Sequence, residues 1–147
     1  MKTKKPGKKA VKGTSKKVII TSGKRKRALA RAVLTSGKGV VRINKILLET
    51  FSPAMIKTRI MEPLMLAGDI ARNVNISVNV NGGGIQAQGE ASRLAIARGL
   101  LEFSSSKELK KTYLDYDKHL LVADVRRNES HKPNDSKPRR KRTKSKR

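Results

Sequence analysis

Nine residues, Asn73 to Asn81, restrict the fold of this chain more than any other stretch. Val74, Ile76, Val78 and Val80 alternate with Asn73, Asn75, Ser77, Asn79 and Asn81. Full period-two alternation with β-branched residues on one face describes a strand with a core side and a polar side. Gly82-Gly83-Gly84 ends it. From about Ala87 to Phe103 the pattern becomes helical, with Ala87, Ala91, Leu94, Ala95 and Leu101 along one stripe. Small residues on that stripe let the helix lie close to a sheet. The core is therefore mixed α and β.

Other segments are placed around this pair. Val18 to Thr21 is a short β-prone run. Ala28 to Leu34 suits a helix by propensity, yet alternates as a strand, with Ala28, Ala30, Ala32 and Leu34 on one face and Arg27 and Arg31 on the other. A hairpin-type loop, Thr35 to Gly39, and a second strand, Val40 to Ile43, decide for the strand. Asn44 to Phe51 reads as a helical turn. Ser52-Pro53 reads as N-cap and first residue of a helix that Pro63 interrupts, and a second short helix from Leu64 to Ala67 stops at Gly68. Ser105-Ser106-Lys107-Glu108 matches a capping box and opens a last helix, with Leu109, Tyr113 and Tyr116 at helical spacing. Met55, Met61 and Met65 are expected in the core. Leu120 to Ala123 is the final apolar run.

Charge divides the chain into three. The net charge is +25: residues 1–17 carry +8, residues 18–125 carry +8 and residues 126–147 carry +9. The two ends bury no apolar surface that could offset the entropy of ordering them. We expect a disordered basic extension over 1–17, a globular domain over 18–125 and an extended basic tail over 126–147. Pro133 and Pro138 favour an extended path for the tail. Charge of this density points to a polyanion, with nucleic acid ahead of a membrane surface. No apolar run approaches the roughly 20 residues of a spanning helix. Charge at the N-terminus is not followed by the apolar stretch of a secretory signal. The chain has no cysteine, which excludes disulfides and thiolate metal sites. Two Tyr, two Phe and no Trp are too few for a base-stacking platform, so recognition through backbone and shape is expected.

Lys24, Arg25, Lys26, Arg27 and Arg31 form the strongest internal patch. Adjacent cations repel one another unless a polyanion neutralises them, and Arg forks and Lys point charges suit phosphate. The competing reading is a solvated strand face. Gly82, Gly83 and Gly84 precede a helix, where backbone could approach phosphate closely; a turn needing positive φ is the plainer explanation. No Gly-Lys-Ser/Thr follows, so this is not a nucleotide-binding P-loop. His119 and His131 are isolated, Asp115 and Asp117 lie on different helix faces, and Asp117 or Asp124 is expected to pair with a nearby Lys or Arg. No catalytic group, metal site, cofactor or small-molecule substrate is expected.

Ser22-Gly23-Lys24-Arg25-Lys26-Arg27-Ala28-Leu29-Ala30-Arg31-Ala32 resembles the opening motif of the ninth universal ribosomal protein of the small subunit, in its archaeal and eukaryotic form. Met61 to Gly68, Gly82 to Gly84 with Gln88 to Arg98, Tyr116 to Asp124, and Arg126-Arg127 resemble further motifs of that family in order. The resemblance covers residues 18 to 147. It implies an α/β (α+β) fold: a four-stranded sheet with helices on one side, like the second domain of the fifth small-subunit protein. It also implies a left-handed crossover, which the usual right-handed rule would not suggest. It further implies a structural constituent of the small-subunit head, cytoplasmic and in ribosomes, touching small-subunit rRNA, peptidyl-site tRNA and neighbouring ribosomal proteins.

On that resemblance, rRNA contact falls to the internal patch, the glycine loop and the tail residues Arg126, Arg127, Lys132, Lys137, Arg139, Arg140, Lys141 and Arg142. Contact with the tRNA anticodon stem-loop falls to Lys144, Ser145, Lys146 and Arg147. Lys146 stands where the family usually has Tyr, and residues 1–17 extend beyond its usual start. Two rival classes remain distinguishable. A chromatin-like DNA protein would share the charge but not the ordered core motifs. A small-molecule kinase would use the glycine loop but lacks a base or metal site.

Overall fold

Alternation in the strands sets the architecture. The computed structural model describes residues 18–141; the expectations for residues 1–17 and for Arg142 and residues 143–147 lie outside it. Among the described residues, five strands form one sheet: β1 (Val18–Arg25), β2 (Ala28–Ser36), β3 (Val41–Ile43), β4 (Ile46–Leu47) and β5 (Val74–Asn81), in the order β1-β2-β5-β3-β4. Pairing is antiparallel except between β3 and β5, which run parallel. Helices α1 (Ala54–Ala67), α2 (Asp69–Arg72), α3 (Ile85–Ser104) and α4 (Lys107–Tyr116) complete the domain. The α3 helix lies on β1, β2 and β5, and α1 packs on α3.

The inward face holds Ile19, Ala28, Ala30, Ala32, Leu34, Val74, Ile76, Val78 and Val80, all buried. The outward face keeps Ile20, Leu29, Arg31, Ser77 and Asn79 exposed, so the helices cover one side of the sheet. The alternation expected for β2 and β5 is present residue for residue. Gly23 lies inside β1, where a Cβ would come within 2.1 Å of the Ala91 carbonyl; it permits the close approach of α3 rather than making a bend.

The sheet differs from the expected four strands by the short β4. Asn44 and Lys45 both take positive φ, 47° and 72°, and turn the chain in two residues so that Ile43 pairs with Ile46. The Asn44 side chain is held by β5: its Nδ2 donates to the Val80 carbonyl (3.1 Å) and its Oδ1 accepts from the Val80 amide (2.8 Å). Only Leu48–Thr50 of the expected helical turn is helical, as a single 3-10 turn. The loop after β2 does not close a hairpin either, because β5 inserts between β2 and β3. Asn75 of β5 organises that loop, accepting from the amides of Lys38 (2.9 Å) and Val40 (3.2 Å).

Helix boundaries bring further corrections. The α1 helix begins after Pro53, with no cap from Ser52, and runs through buried Pro63 to Ala67. Proline costs a helix interior a donor, but the helix continues through it: Pro63 is buried in the core stripe, and the fully buried Tyr113 hydroxyl donates to its carbonyl at 2.8 Å. Burial pushes the Tyr113 phenol well above its ordinary range. Gly68 ends α1 at φ 52°. Ser106, not Ser105, caps α4, accepting from the Leu109 amide, while Ser105 ends α3 in the left-handed region. Leu109 and Tyr113 are buried but Tyr116 is exposed. Met55 and Met65 are 66 % and 73 % exposed and lie outside the core; only Met61 packs partly against it. Each occupies a helix position turned from the α1 core stripe of Ile56, Ile60, Pro63 and Ala67.

Candidate nucleic-acid interface

The basic run forms the tip of the β1–β2 hairpin. Arg25 pairs with Ala28, leaving Lys26 and Arg27 as the turn, with Lys26 at φ 52°. Lys24, Lys26, Arg27 and Arg31 are exposed, and among the described residues no carboxylate forms an ion pair with them. Lys24 and Arg31 project from the uncovered face of the sheet. Ser22, Arg31 and Asn79 stand in one cross-strand row, and Arg42 and Ser77 are paired on the same face. Arg42, exposed beside Ser77, was missing from the expected set. The alternation Val41-Arg42-Ile43 carries the signal that would have found it.

The glycine loop sits against this tip. Gly82 takes φ 74°, and a Cβ there would fall 2.7 Å from the Arg27 carbonyl; Gly83 takes φ 68°, and its Cβ would fall 3.0 Å from the Ala28 amide nitrogen. Both glycines answer to backbone geometry and to contact with the hairpin. Gly84 differs: its φ is −97° and a Cβ would meet nothing within 4 Å. It is the N-cap of α3 without a side-chain hydrogen bond, so the helix begins with uncapped amides beside the exposed Ile85. The fold therefore brings the basic turn and the glycine loop together, although 55 residues separate Arg27 from Gly82 in the chain.

Arg25 behaves differently from its neighbours. It points to the helix side, with 16 % of its side chain exposed. Its Nε donates to Glu90 Oε2 of α3 at 2.5 Å, and its Nη1 forms an ion pair with Asp124. Glu90 Oε1 also accepts from Arg59 Nη1 of α1 at 3.0 Å. Asp124 further accepts from the Arg126 guanidinium and amide. Those hydrogen bonds, with the positive charges of Arg126 and Arg25, hold its carboxyl far below the usual carboxylate range. Nearby, Arg93 pairs with Asp117 at 2.8 Å and Glu62 at 2.5 Å. Burial works to raise the Asp117 carboxyl, but hydrogen bonds from the His119 amide and Arg93, and the charges of both residues, bring it below its ordinary value. These residues, with Lys24 and His119, line a depression of about 370 Å³. Asp117 and Asp124 thus pair with arginines, as expected, but with partners from distant elements as well as from nearby in the chain.

Beyond Arg126 no helix or strand forms over the described residues. Arg127, Lys132, Lys137, Arg139 and Lys141 are exposed, as is Arg140, whose Nη1 donates to Ser136 Oγ. Arg139 pairs with Glu129. Lys144, Ser145, Lys146 and Arg147, with Arg142, fall outside the described residues. A second depression, between β3–β4 and α1, is lined largely by apolar groups including Val41, Leu48, Leu64 and Met65, and offers little to phosphate. Among the described residues no cluster of His, Cys, Asp and Glu could hold a metal ion, and no helix is long and apolar enough to cross a membrane.

Comparison with known proteins follows the same regions. The family described as ribosomal protein S9/S16 matches residues 23–147. The chain is 47% identical over 131 residues to the small ribosomal subunit protein uS9 of Methanococcus maripaludis strain C7, covering 88% of this chain and 98% of the relative. It is 47% identical over the same length to uS9 of Methanococcus vannielii. It is 48% identical over 116 residues to uS9 of Desulfurococcus amylolyticus, covering 79% of this chain and 83% of the relative.

Proposed function

Because the chain belongs to the ribosomal protein S9/S16 family, we propose that it is a structural, non-catalytic constituent of the small ribosomal subunit, working in cytoplasmic ribosomes, where its hairpin tip and basic arm bind rRNA. Four exposed cations without carboxylate partners, Lys24, Lys26, Arg27 and Arg31, carry this reading. The turn that carries Lys26 and Arg27 lies against the glycine loop that leads into the uncapped start of α3, and fixed positive charge with bare amides suits phosphate. Arg42 extends it across the sheet. Arg25 supports the surface from behind rather than facing RNA, since its charge is already matched.

The arm completes the interface. Arg126, Arg127, Lys132, Lys137, Arg139, Arg140, Lys141 and Arg142 neutralise phosphates where rRNA helices crowd together in the head of the subunit. Lys144, Ser145, Lys146 and Arg147 reach the anticodon stem-loop of peptidyl-site tRNA and hold its backbone without reading sequence. Lys146 adds charge where a tyrosine would add a ring. The neighbours of the core are other ribosomal proteins of the head. In fold, the parallel β3–β5 connection is read as the left-handed crossover of a sheet-and-helix layer like the second domain of the fifth small-subunit protein.

Salt dependence tests the reading. Each phosphate contact contributes roughly −0.7 to −0.9 to the slope of log K against log salt. Titration of the full chain onto a head-domain rRNA fragment should show a steep slope, and Lys26→Ala with Arg27→Ala should reduce its magnitude by about 1.4 to 1.8. In the same series, a chain lacking residues 144–147 should enter small subunits normally yet retain less peptidyl-site tRNA. An unchanged slope in the double variant would remove the hairpin tip from the interface.

A further inference from the structure

We propose that Arg25 and Asp124 form a clasp that sets the direction in which the basic C-terminal arm leaves the core. The last buried side chain among the described residues is Leu120. After it, no helix or strand among the described residues constrains the chain, and an arm rich in positive charge could swivel. Two anchors three residues apart prevent that. Arg98 of α3 donates from Nε to the Leu121 carbonyl at 2.9 Å, and from Nη1 to the Ser22 carbonyl of β1 at 3.1 Å. Arg25 of β1 then takes the carboxylate of Asp124. Two fixed points define a direction where one would leave a pivot.

The clasp is itself held in place. Glu90 fixes the Arg25 guanidinium from α3, and Arg59 of α1 fixes Glu90. Charges alternate along Arg59, Glu90, Arg25, Asp124 and Arg126, so each carboxylate lies between two cations. The Asp124 side chain is only 10 % exposed, which limits screening by salt. On its outer side, Asp124 Oδ1 accepts the Arg126 amide at 2.8 Å, a two-residue turn that points the chain onward. Asp124 and Arg25 are therefore positioning residues for the arm. An arm that starts in a set direction loses less freedom when it binds. That benefit rests on the RNA reading above; the clasp does not.

The absence of cysteine makes the test direct. In the full chain, Glu102→Cys on α3 and Asn128→Cys beyond the clasp are spin-labelled, and pulsed dipolar spectroscopy gives the distance distribution. The parent pair should show one narrow distribution. Asp124→Asn and Arg25→Gln should each at least double its width, whereas Arg139→Gln, further along the arm, should leave it unchanged. A core pair, Lys38→Cys with Glu102→Cys, should stay narrow throughout. An unchanged arm distribution in Asp124→Asn, or a broad one in the parent, overturns the clasp. Should Asp124→Asn broaden the core pair as well, Arg25→Gln decides by the same criterion. The measurement is made on the free protein, so it stands or falls separately from RNA binding, which the salt slope decides.

Discussion

Lys24 and Arg25 are adjacent in the chain and border one depression, yet their side chains alternate across the strand and their charges meet different surroundings. Lys24 lies on the open face of the sheet, with Arg31 and Arg42, where cations have no carboxylate among the described residues. Arg25 lies on the helix face, with Arg59 and Arg93, where Glu62, Glu90, Asp117 and Asp124 match the positive charge. The strand pleat separates them. The comparison teaches that a basic run is not one surface. One of its four residues helps hold the fold together, while the other three stand exposed without a carboxylate partner among the described residues.

The largest effect expected from this contrast is on stability. Arg93→Met would leave Glu62 and Asp117 without their shared partner, at side-chain exposures of 25% and 30%. Breaking a fully buried pair costs about 3–5 kcal/mol; partial solvent contact reduces that here to about 2 kcal/mol. Arg31→Met on the open face should change stability by no more than about 0.5 kcal/mol. Urea denaturation of both variants measures the difference. Equal losses would dissolve the distinction between the two regions.

A smaller effect separates the glycines by the same logic. Gly83 needs positive φ and touches β2, so Gly83→Ala should destabilise by about 1–2 kcal/mol. Gly84 needs neither, and Gly84→Ala should cost about 0.5 kcal/mol as a poorer helix cap. Melting curves rank the two. If Gly84→Ala proved the more damaging, the loop would be under a constraint that its open surroundings do not show.

How far all this was legible in the sequence depends on the kind of interaction. Alternation in Ala28–Leu34 and Val74–Val80 exposed both strands and their core faces, because period two reports directly on burial. Strand order was not legible: Val41–Ile43 reads as the partner of the preceding strand, and nothing local announces that β5 will insert between them. The two-residue β4 was hidden because Lys45 is an unusual residue for a positive-φ turn. Pro63 misled because a local rule gave way to tertiary burial: the residue packs in the core, and its carbonyl accepts from Tyr113, 50 residues away. For the candidate interface, charge density marked the basic run, but only the pleat distinguishes Arg25 from Lys24, and the acids that occupy Arg25 lie 65 and 99 residues further on.

The smallest effect expected is a flat response to pH, and its sign follows from the carboxylates. Asp117 and Asp124 are both held below their ordinary values in the folded chain. A carboxyl lowered by folding contributes stability that is fully present above its unfolded value, about 3.9, and is lost as pH falls through the folded value. Between pH 5 and 8 both groups are ionised in either state and their contribution is constant. Urea midpoints should therefore stay level from pH 8 to pH 5 as far as these two groups decide, then decline below about pH 4. Asp117→Asn should flatten part of that decline, since it removes one of the groups that must be protonated. A decline that begins near pH 6 would mean that groups other than these two carboxylates of the helix face govern the acid stability of the domain.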